Sequence, residues 1–132
     1  MKNKNLIKEN IKRIVKEHNM KYDYRSEYRG YKYFIICNKY DDESWKCGYV
    51  GLTKDNPFYK KYYEDIPYID CPNNGLTFSG YVDGDEENNW WIGFDTMDLE
   101  EYSLEDAVNV CKSIIDQIIR LTEKESEDFI SF

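Results

Sequence analysis

Three short segments between Trp45 and Asp95 constrain the fold of this chain most strongly. They read Trp45-Lys-Cys-Gly-Tyr-Val-Gly51, Asn74-Gly-Leu-Thr-Phe-Ser-Gly80 and Trp90-Trp-Ile-Gly-Phe-Asp95. Each combines aromatic and β-branched residues, which are enriched in strands, with single glycines, which mark a bend or the close approach of another group. In the last segment large apolar residues recur at every second position, which is the period of a strand. We therefore expect a β-sheet at the centre of the fold.

Helical patterns precede and follow this sheet region. Residues 3–19 predict an amphipathic helix whose apolar face is formed by Ile7, Ile11, Ile14 and Val15. A second helix is predicted after Ser103, which forms a variant of the capping box with Asp106. Its wide apolar face comprises Leu104, Ala107, Val108, Cys111, Ile114, Ile115 and Ile118.

Strand patterns occur at residues 31–37, 45–52, 76–82 and 89–95, with a short candidate at 68–71. Residues 20–28 are rich in tyrosine and charge, and their pattern is ambiguous. The sequence therefore predicts an α+β fold, in which an antiparallel sheet of about five strands is packed on one face by the N- and C-terminal helices. Residues 1–132 are predicted to form a single domain.

The net charge of -8 is distributed unevenly along the chain. Residues 1–33 hold ten Lys/Arg and four Asp/Glu, which gives +6, so the remainder carries -14. Between Lys61 and Lys112 there is no Lys or Arg, while there are thirteen Asp/Glu. Because phosphates are bound through Lys and Arg, this interval disfavours direct binding of DNA or RNA. It is either a solvated acidic surface or a surface that binds something basic.

Cysteine and histidine usage argues against a metal site. The four cysteines are widely spaced, none is part of a Cys-x-x-Cys motif, and His18 is the single histidine. Zinc sites usually show a close pair of ligands, so neither a metal nor another cofactor is predicted. We expect free, largely buried thiols in a cytoplasmic protein, without a signal peptide or a membrane span.

The acidic residues that follow position 82 are the main candidates for chemistry. Asp83-Gly-Asp-Glu-Glu87 gathers carboxylates in one loop, as Ca²⁺ sites do, but strands flank it where an EF-hand has helices. A solvated hairpin loop is the alternative. Asp95 and Asp98 suit either acid–base work or a turn before the last helix. Alternation places Trp90 and Trp91 on opposite faces, so one of them is either an exposed binding anchor or is covered by residues 53–66.

The strand segments resemble a family of small uncharacterised proteins that are common in phages and prophages. The resemblance is carried by Trp45, Gly48-Tyr-Val-Gly51, Pro57-Phe-Tyr59, Gly75-Leu-Thr-Phe-Ser79 and Trp90-Trp-Ile-Gly-Phe-Asp95, and it covers the middle of the chain. The family pattern often has one histidine before the Gly-Leu-Thr and another after the Gly-Phe-Asp, where this chain has Pro72-Asn-Asn-Gly75 and Asp95-Thr-Met-Asp98. The resemblance implies a phage accessory role, in which small acidic proteins disarm host defence nucleases.

The lysine-free interval and this resemblance lead to one main hypothesis. The chain is expected to be a non-catalytic, anti-CRISPR-like inhibitor in the bacterial cell, and it would present an acidic, aromatic surface to the basic nucleic-acid channel of an immunity effector. No cofactor, metal, nucleic acid or membrane is expected to take part. The predicted partner-binding residues are Asp83, Asp85, Glu86, Glu87, Trp91, Asp95, Asp98, Glu100 and Glu101.

Two alternatives belong to other functional classes. In the first, the chain binds a small ligand or a nucleotide signal in a pocket floored by Tyr49, Tyr81 and Trp91. Arg25, Arg29 and Lys32 would then have to reach that pocket, because phosphates need cations. In the second, the chain is a metal-dependent enzyme that uses Asp83, Asp85, Asp95 and Asp98.

Overall fold

The computed structural model describes residues 24–40, 43–99 and 102–130, with side chains of the last helix described as far as Glu123. Within these ranges the chain forms an antiparallel sheet of five strands with the order β1-β2-β3-β5-β4. The strands are β1 (Tyr24–Tyr28), β2 (Tyr31–Tyr40), β3 (Glu43–Leu52), β4 (Phe78–Gly80) and β5 (Trp90–Asp95). Helix α1 (Leu104–Ile130) follows the sheet and packs against one of its faces.

The α+β class, the five antiparallel strands and the packing of the C-terminal helix are confirmed. The N-terminal helix predicted for residues 3–19 lies outside the described residues. The ambiguous stretch before residue 28 contains strand β1, which pairs with β2 from Tyr24 opposite Ile35 to Tyr28 opposite Tyr31. Its side chains are mostly exposed, so it lacks the apolar segment that identifies the central strands. Arg29 and Gly30 join the two strands with positive φ, as a tight hairpin turn requires.

The prediction of a strand at residues 68–71 is wrong. The backbone N–H of Asp70 donates to Oε1 of Gln117 at 2.8 Å, and the backbone oxygen of Asp70 accepts from Nε2 of Gln117 at 2.9 Å. A helix side chain therefore bonds the backbone groups that a neighbouring strand would otherwise pair. This anchor holds the buried side chain of Ile69 in the core beneath α1.

Each face of the sheet carries its own apolar cluster. On the helix face, alternate residues of β2, β3 and β5 pack against Ala107, Cys111, Ile114, Ile115 and Ile118 of α1. On the second face, the cluster is largely aromatic and comprises Phe34, Ile36, Cys47, Tyr49, Phe78, Val82, Trp91 and Met97. Every strand of the sheet centre is thus buried on both faces, which explains the continuous apolar segments in the sequence.

Two glycines of the central strands leave room for large aromatic rings to pack directly against the backbone of the sheet. A Cβ atom on Gly48 would lie 2.3 Å from the ring of Phe94 and 2.8 Å from Sγ of Cys111. On the other face, a Cβ atom on Gly93 would lie 2.8 Å from the ring of Tyr49. The space above each of these glycines is therefore filled by a neighbouring aromatic side chain, so the glycines do not open a pocket.

The start of α1 follows the predicted capping box. The backbone N–H of Asp106 donates to Oγ of Ser103 at 3.0 Å, and the backbone N–H of Ser103 donates to Oδ2 of Asp106 at 3.0 Å. These reciprocal bonds satisfy donors that the first turn of a helix leaves unpaired. In the described part of the chain, no helix is long and apolar enough to cross a membrane.

Candidate partner-binding surface

Asp85 organises the loop of residues 81–89, which joins β4 to β5. Its carboxylate accepts hydrogen bonds from the indole Nε1 of Trp91 at 2.9 Å, from the backbone N–H of Asn89 at 2.9 Å and from that of Glu87 at 3.1 Å. An aspartate that bonds the backbone two residues ahead is a common device for building turns. Asp85 was predicted as a partner-binding residue, and the structure places its carboxylate within the loop as a structural acceptor.

Neither Trp90 nor Trp91 is an exposed anchor. Trp91 is 3% exposed and lies on the second face, where its ring meets that of Phe34 edge-on at 4.9 Å between centroids. Trp90 is 9% exposed and lies on the helix face. Its Nε1 donates to the backbone oxygen of Lys61 at 2.7 Å. Residues 53–66 therefore cover Trp90, which was one of the two outcomes left open by the sequence.

Asp95 is also turned inward. It is 9% exposed, and its Oδ1 accepts from Nδ2 of Asn73 at 2.7 Å and from the backbone N–H of Met97 at 3.1 Å. Nδ2 of Asn73 also bonds the backbone oxygens of Asp95 and Met97. Asp95 thus pins the loop around Asn73 to the end of β5. Asp98 lies at the surface, and Glu100 and Glu101 lie outside the described residues.

Other acidic side chains remain at the surface together with exposed tyrosines. The backbone N–H of Tyr63 donates to Oγ of Ser79 at 3.0 Å, so the segment around residue 63 lies beside β4, an outer strand of the sheet. Tyr81 and Asp83 follow β4 directly in the chain. We call this region the acidic–aromatic edge, and its exposed members are Tyr62, Glu64, Asp65, Tyr81 and Asp83.

Exposure of aromatic rings is pronounced at this edge. Tyr62 is 66% exposed and Tyr81 is 51% exposed, and the nearby Tyr68 is 70% exposed. Tyr81 is held in place because its ring meets the ring of Trp90 edge-on at 5.1 Å between centroids. Large amphipathic rings fixed at a surface are typical of residues that anchor protein–protein interfaces.

A groove of about 650 Å³ lies between the β1–β2 hairpin and the loop of residues 81–89. We call it the charged groove. Its charged lining consists of Arg25, Glu27, Lys32, Asp85, Glu86 and Glu87, and its apolar lining includes Phe34 and Trp91. The lining carries four acids against two bases, so its formal charge is -2.

Lys32 and Glu87 form an ion pair across the charged groove. The carboxylate of Glu87 raises the pKa of Lys32, and the ammonium group in turn lowers the pKa of Glu87. Of the three cations that the nucleotide alternative names, Arg25 and Lys32 line the same groove as Trp91, whereas Arg29 pairs with Asp116 of α1 at 2.8 Å. The alternation of side chains along β2 predicts that Lys32 and Phe34 lie on the same face of the strand. No local pattern in the sequence predicts that Lys32 pairs with Glu87.

The pocket proposed over Tyr49, Tyr81 and Trp91 is not assembled. Tyr49 and Trp91 are buried on the second face, whereas Tyr81 contacts Trp90 on the helix face. A different groove of about 560 Å³ includes Tyr81 together with Lys54, Tyr59, Lys60 and Asn88. There the hydroxyl groups of Tyr59 and Tyr81 lie 3.3 Å apart, and this contact raises the pKa of Tyr59 to about 12.

Among the described residues, metal-binding and nucleophilic side chains do not cluster into a site. No three His, Cys, Asp or Glu side chains among them are placed to hold a metal ion. Burial raises the pKa of the thiols of Cys47 and Cys111, and it raises that of Cys71 to about 12. These thiols therefore stay protonated at neutral pH, which makes them poor nucleophiles and poor ligands.

Comparison of the chain with protein families, with curated proteins and with solved structures found no match. What the surface binds must therefore be inferred from its own chemistry.

Proposed function

We propose that this protein is a non-catalytic inhibitor of phage or mobile-element origin that binds a basic, nucleic-acid-binding immunity effector of the bacterial cell. The observation that carries the proposal is the acidic–aromatic edge, whose exposed tyrosines and carboxylates all belong to the sequence interval that lacks Lys and Arg. An effector that binds DNA or RNA must present clustered Lys and Arg to phosphates. The edge offers the opposite charge, together with rings that can be desolvated.

The two components of the edge have different roles in this proposal. Exposed carboxylates such as Glu64, Asp65 and Asp83 steer the encounter, because long-range attraction raises the association rate at low ionic strength. Tyr62 and Tyr81 supply the contacts that lose water on binding and thereby slow dissociation. Inhibition then follows from occupation of the nucleic-acid channel, without any bond being made or broken.

A nuclease assay tests this function directly. Purified CRISPR effectors are incubated with the protein, and cleavage of target DNA is measured with effector loaded by guide RNA before or after the addition. We expect at least one effector to be inhibited, and we expect the inhibition to weaken as salt rises from about 50 to about 300 mM because exposed charges become screened. Inhibition that does not depend on salt would contradict the steering by acids.

Matched variants assign the inhibition to the edge. Neutralising Glu64 and Asp83 together should slow association, whereas Asp55→Asn combined with Glu123→Gln, which also removes two negative charges, should leave it unchanged. Asp55 and Glu123 are also exposed, but they lie together at a separate surface groove beside Tyr31. Tyr62→Ser should mainly speed dissociation. An edge variant that inhibits as well as the parent would remove the basis of the proposal.

A second candidate function is the binding of an anionic aromatic ligand, such as a nucleotide. It is favoured by the groove beside Tyr81, because Lys54 and Lys60 bring two cations next to two phenol groups. Thermal shift with a nucleotide panel tests it, and Lys60→Gly is a suitable control variant. Lys60 has a φ of 68°, so glycine removes the cation while it suits the backbone. The absence of any shift with the parent protein would exclude this function.

A further inference from the structure

The charged groove is distinct from the acidic–aromatic edge. One wall comes from β1 and β2, and the other comes from the loop of residues 81–89 that Asp85 holds in shape. Phe34 and Trp91 are 2% and 3% exposed, and they form an apolar floor that packing fixes in place. The groove is therefore a concave surface with rigid support and an excess of carboxylates.

The groove already holds two cationic side chains of the chain itself, Arg25 and Lys32. The ammonium group of Lys32 is paired with Glu87, and its pKa is raised by Glu87 first and also by Glu27 and Asp85. Both members of the pair are about half exposed, with side-chain exposures of 50% and 56%. Ion pairs as exposed as this one contribute little to stability, so a competing cation can replace Lys32 without unfolding the loop.

We propose that the charged groove receives an arginine side chain of the basic protein partner, which displaces Lys32 from Glu87. This inference rests on the proposed function and adds to it the chemistry of one contact. A guanidinium group is planar and presents paired N–H donors, so it matches the carboxylate of Glu87 better than an ammonium group does. In this arrangement Lys32 competes with the arginine of the partner for the carboxylate of Glu87.

Opposite effects of two substitutions test the proposal. The probe is an arginine-rich peptide, and its Kd for the full-length protein is measured by fluorescence anisotropy. Lys32→Gln removes the competitor and should tighten binding about two- to five-fold, which is the range expected for an exposed ion pair. Glu87→Gln removes the acceptor and should weaken binding by a similar factor. If both substitutions weaken binding, Lys32 and Glu87 only support the groove, and the proposal is overturned.

A second exposed ion pair among the described residues supplies a matched control. Arg29 and Asp116 pair at 2.8 Å outside the groove, with side-chain exposures of 47% and 39%. Arg29→Gln changes the net charge as Lys32→Gln does, so it should leave the Kd near that of the parent. If both variants tighten binding equally, only the net charge matters and the groove has no role. A lysine-rich peptide of the same length should bind more weakly, and equal affinity would overturn the assignment to arginine.

The same variants separate this inference from the proposed function. If no effector is inhibited but Lys32→Gln and Glu87→Gln still act in opposite directions, the groove stands as an arginine site and the inhibitor function fails. If inhibition depends on the acidic–aromatic edge but the groove variants do not change peptide binding, the inhibitor function stands and the groove assignment fails.

Discussion

Substitution of Asp85 by alanine should destabilise the whole domain, although the residue belongs to an acidic surface loop. The carboxylate accepts three hydrogen bonds, and two of the donors belong to residues that are almost fully buried, Trp91 at 3% and Asn89 at 5% exposure. A buried donor that loses its acceptor costs about 1–3 kcal/mol, while water can replace the bond to Glu87. Because the bonds from Trp91 and Asn89 are both only partly buried, we expect a loss in the lower part of the combined range, about 2–4 kcal/mol in the free energy of unfolding.

This loss corresponds to a measurable change in Tm. With an unfolding entropy of about 2.1 cal/mol/K per residue, a chain of 132 residues loses roughly 3.6 °C in Tm for each kcal/mol. Asp85→Ala should therefore lower Tm by roughly 7–14 °C in a thermal melt followed by circular dichroism. Asp85→Asn keeps one acceptor oxygen and should fall between the parent and the alanine variant. The indole N–H signal of Trp91 should also shift and exchange faster with solvent in a nitrogen-15 spectrum.

Two neighbouring acids provide the control for Asp85. Asp83 and Glu86 are exposed members of the same loop, and exposed substitutions usually change stability by less than about 0.5 kcal/mol. Asp83→Ala and Glu86→Ala remove the same charge as Asp85→Ala, so they test whether charge or hydrogen bonding matters. A Tm for Asp85→Ala equal to that of these controls would refute the structural role of its carboxylate.

Gly48→Ala should lower stability by about 1–3 kcal/mol in denaturant unfolding, because the added methyl group would overlap the ring and the thiol that pack on this glycine; an unchanged midpoint would contradict that packing. Ser103→Ala should cost about 1 kcal/mol through loss of the helix cap. The backbone N–H of Ser103 lowers the pKa of Asp106 in the folded protein. Asp106 therefore stabilises the fold above its unfolded pKa of about 4, and this stabilisation is lost as pH falls through the lower folded pKa. The advantage of the parent over Asp106→Asn in Tm should therefore vanish in acid, and an advantage that persists there would exclude the carboxylate as its source. A thiol reagent should modify the exposed Cys37 in the native protein and the buried Cys47 only after unfolding, which mass spectrometry of the labelled peptides can distinguish.

Local patterns in the sequence are sufficient for much of the fold. Segments rich in aromatic and β-branched residues predict β2, β3 and β5, and the capping box predicts the first turn of α1. The strand predictions succeed because the central strands are buried on both faces and therefore have near-continuous apolar segments. Strand β1 is missed because this exposed edge strand has no such apolar segment. Its place is decided by backbone pairing with β2 and by the turn at Arg29 and Gly30.

The candidate site depends much more on tertiary structure. The sequence by itself determines that one interval is acidic and has no Lys or Arg, but it does not distinguish one carboxylate from another. Packing turns Asp85 toward Trp91 and Asp95 toward Asn73, while Asp83 stays at the surface.

The charged groove shows the same dependence over a longer distance in the chain. Lys32 and Glu87 are 55 residues apart in sequence, and they meet because the β1–β2 hairpin and the loop of residues 81–89 flank the same part of the second face. Periodicity reports only whether a side chain faces the core, because it arises from the geometry of a single element. Which carboxylate a lysine meets is decided by how separate elements pack together, and only the tertiary structure contains that information.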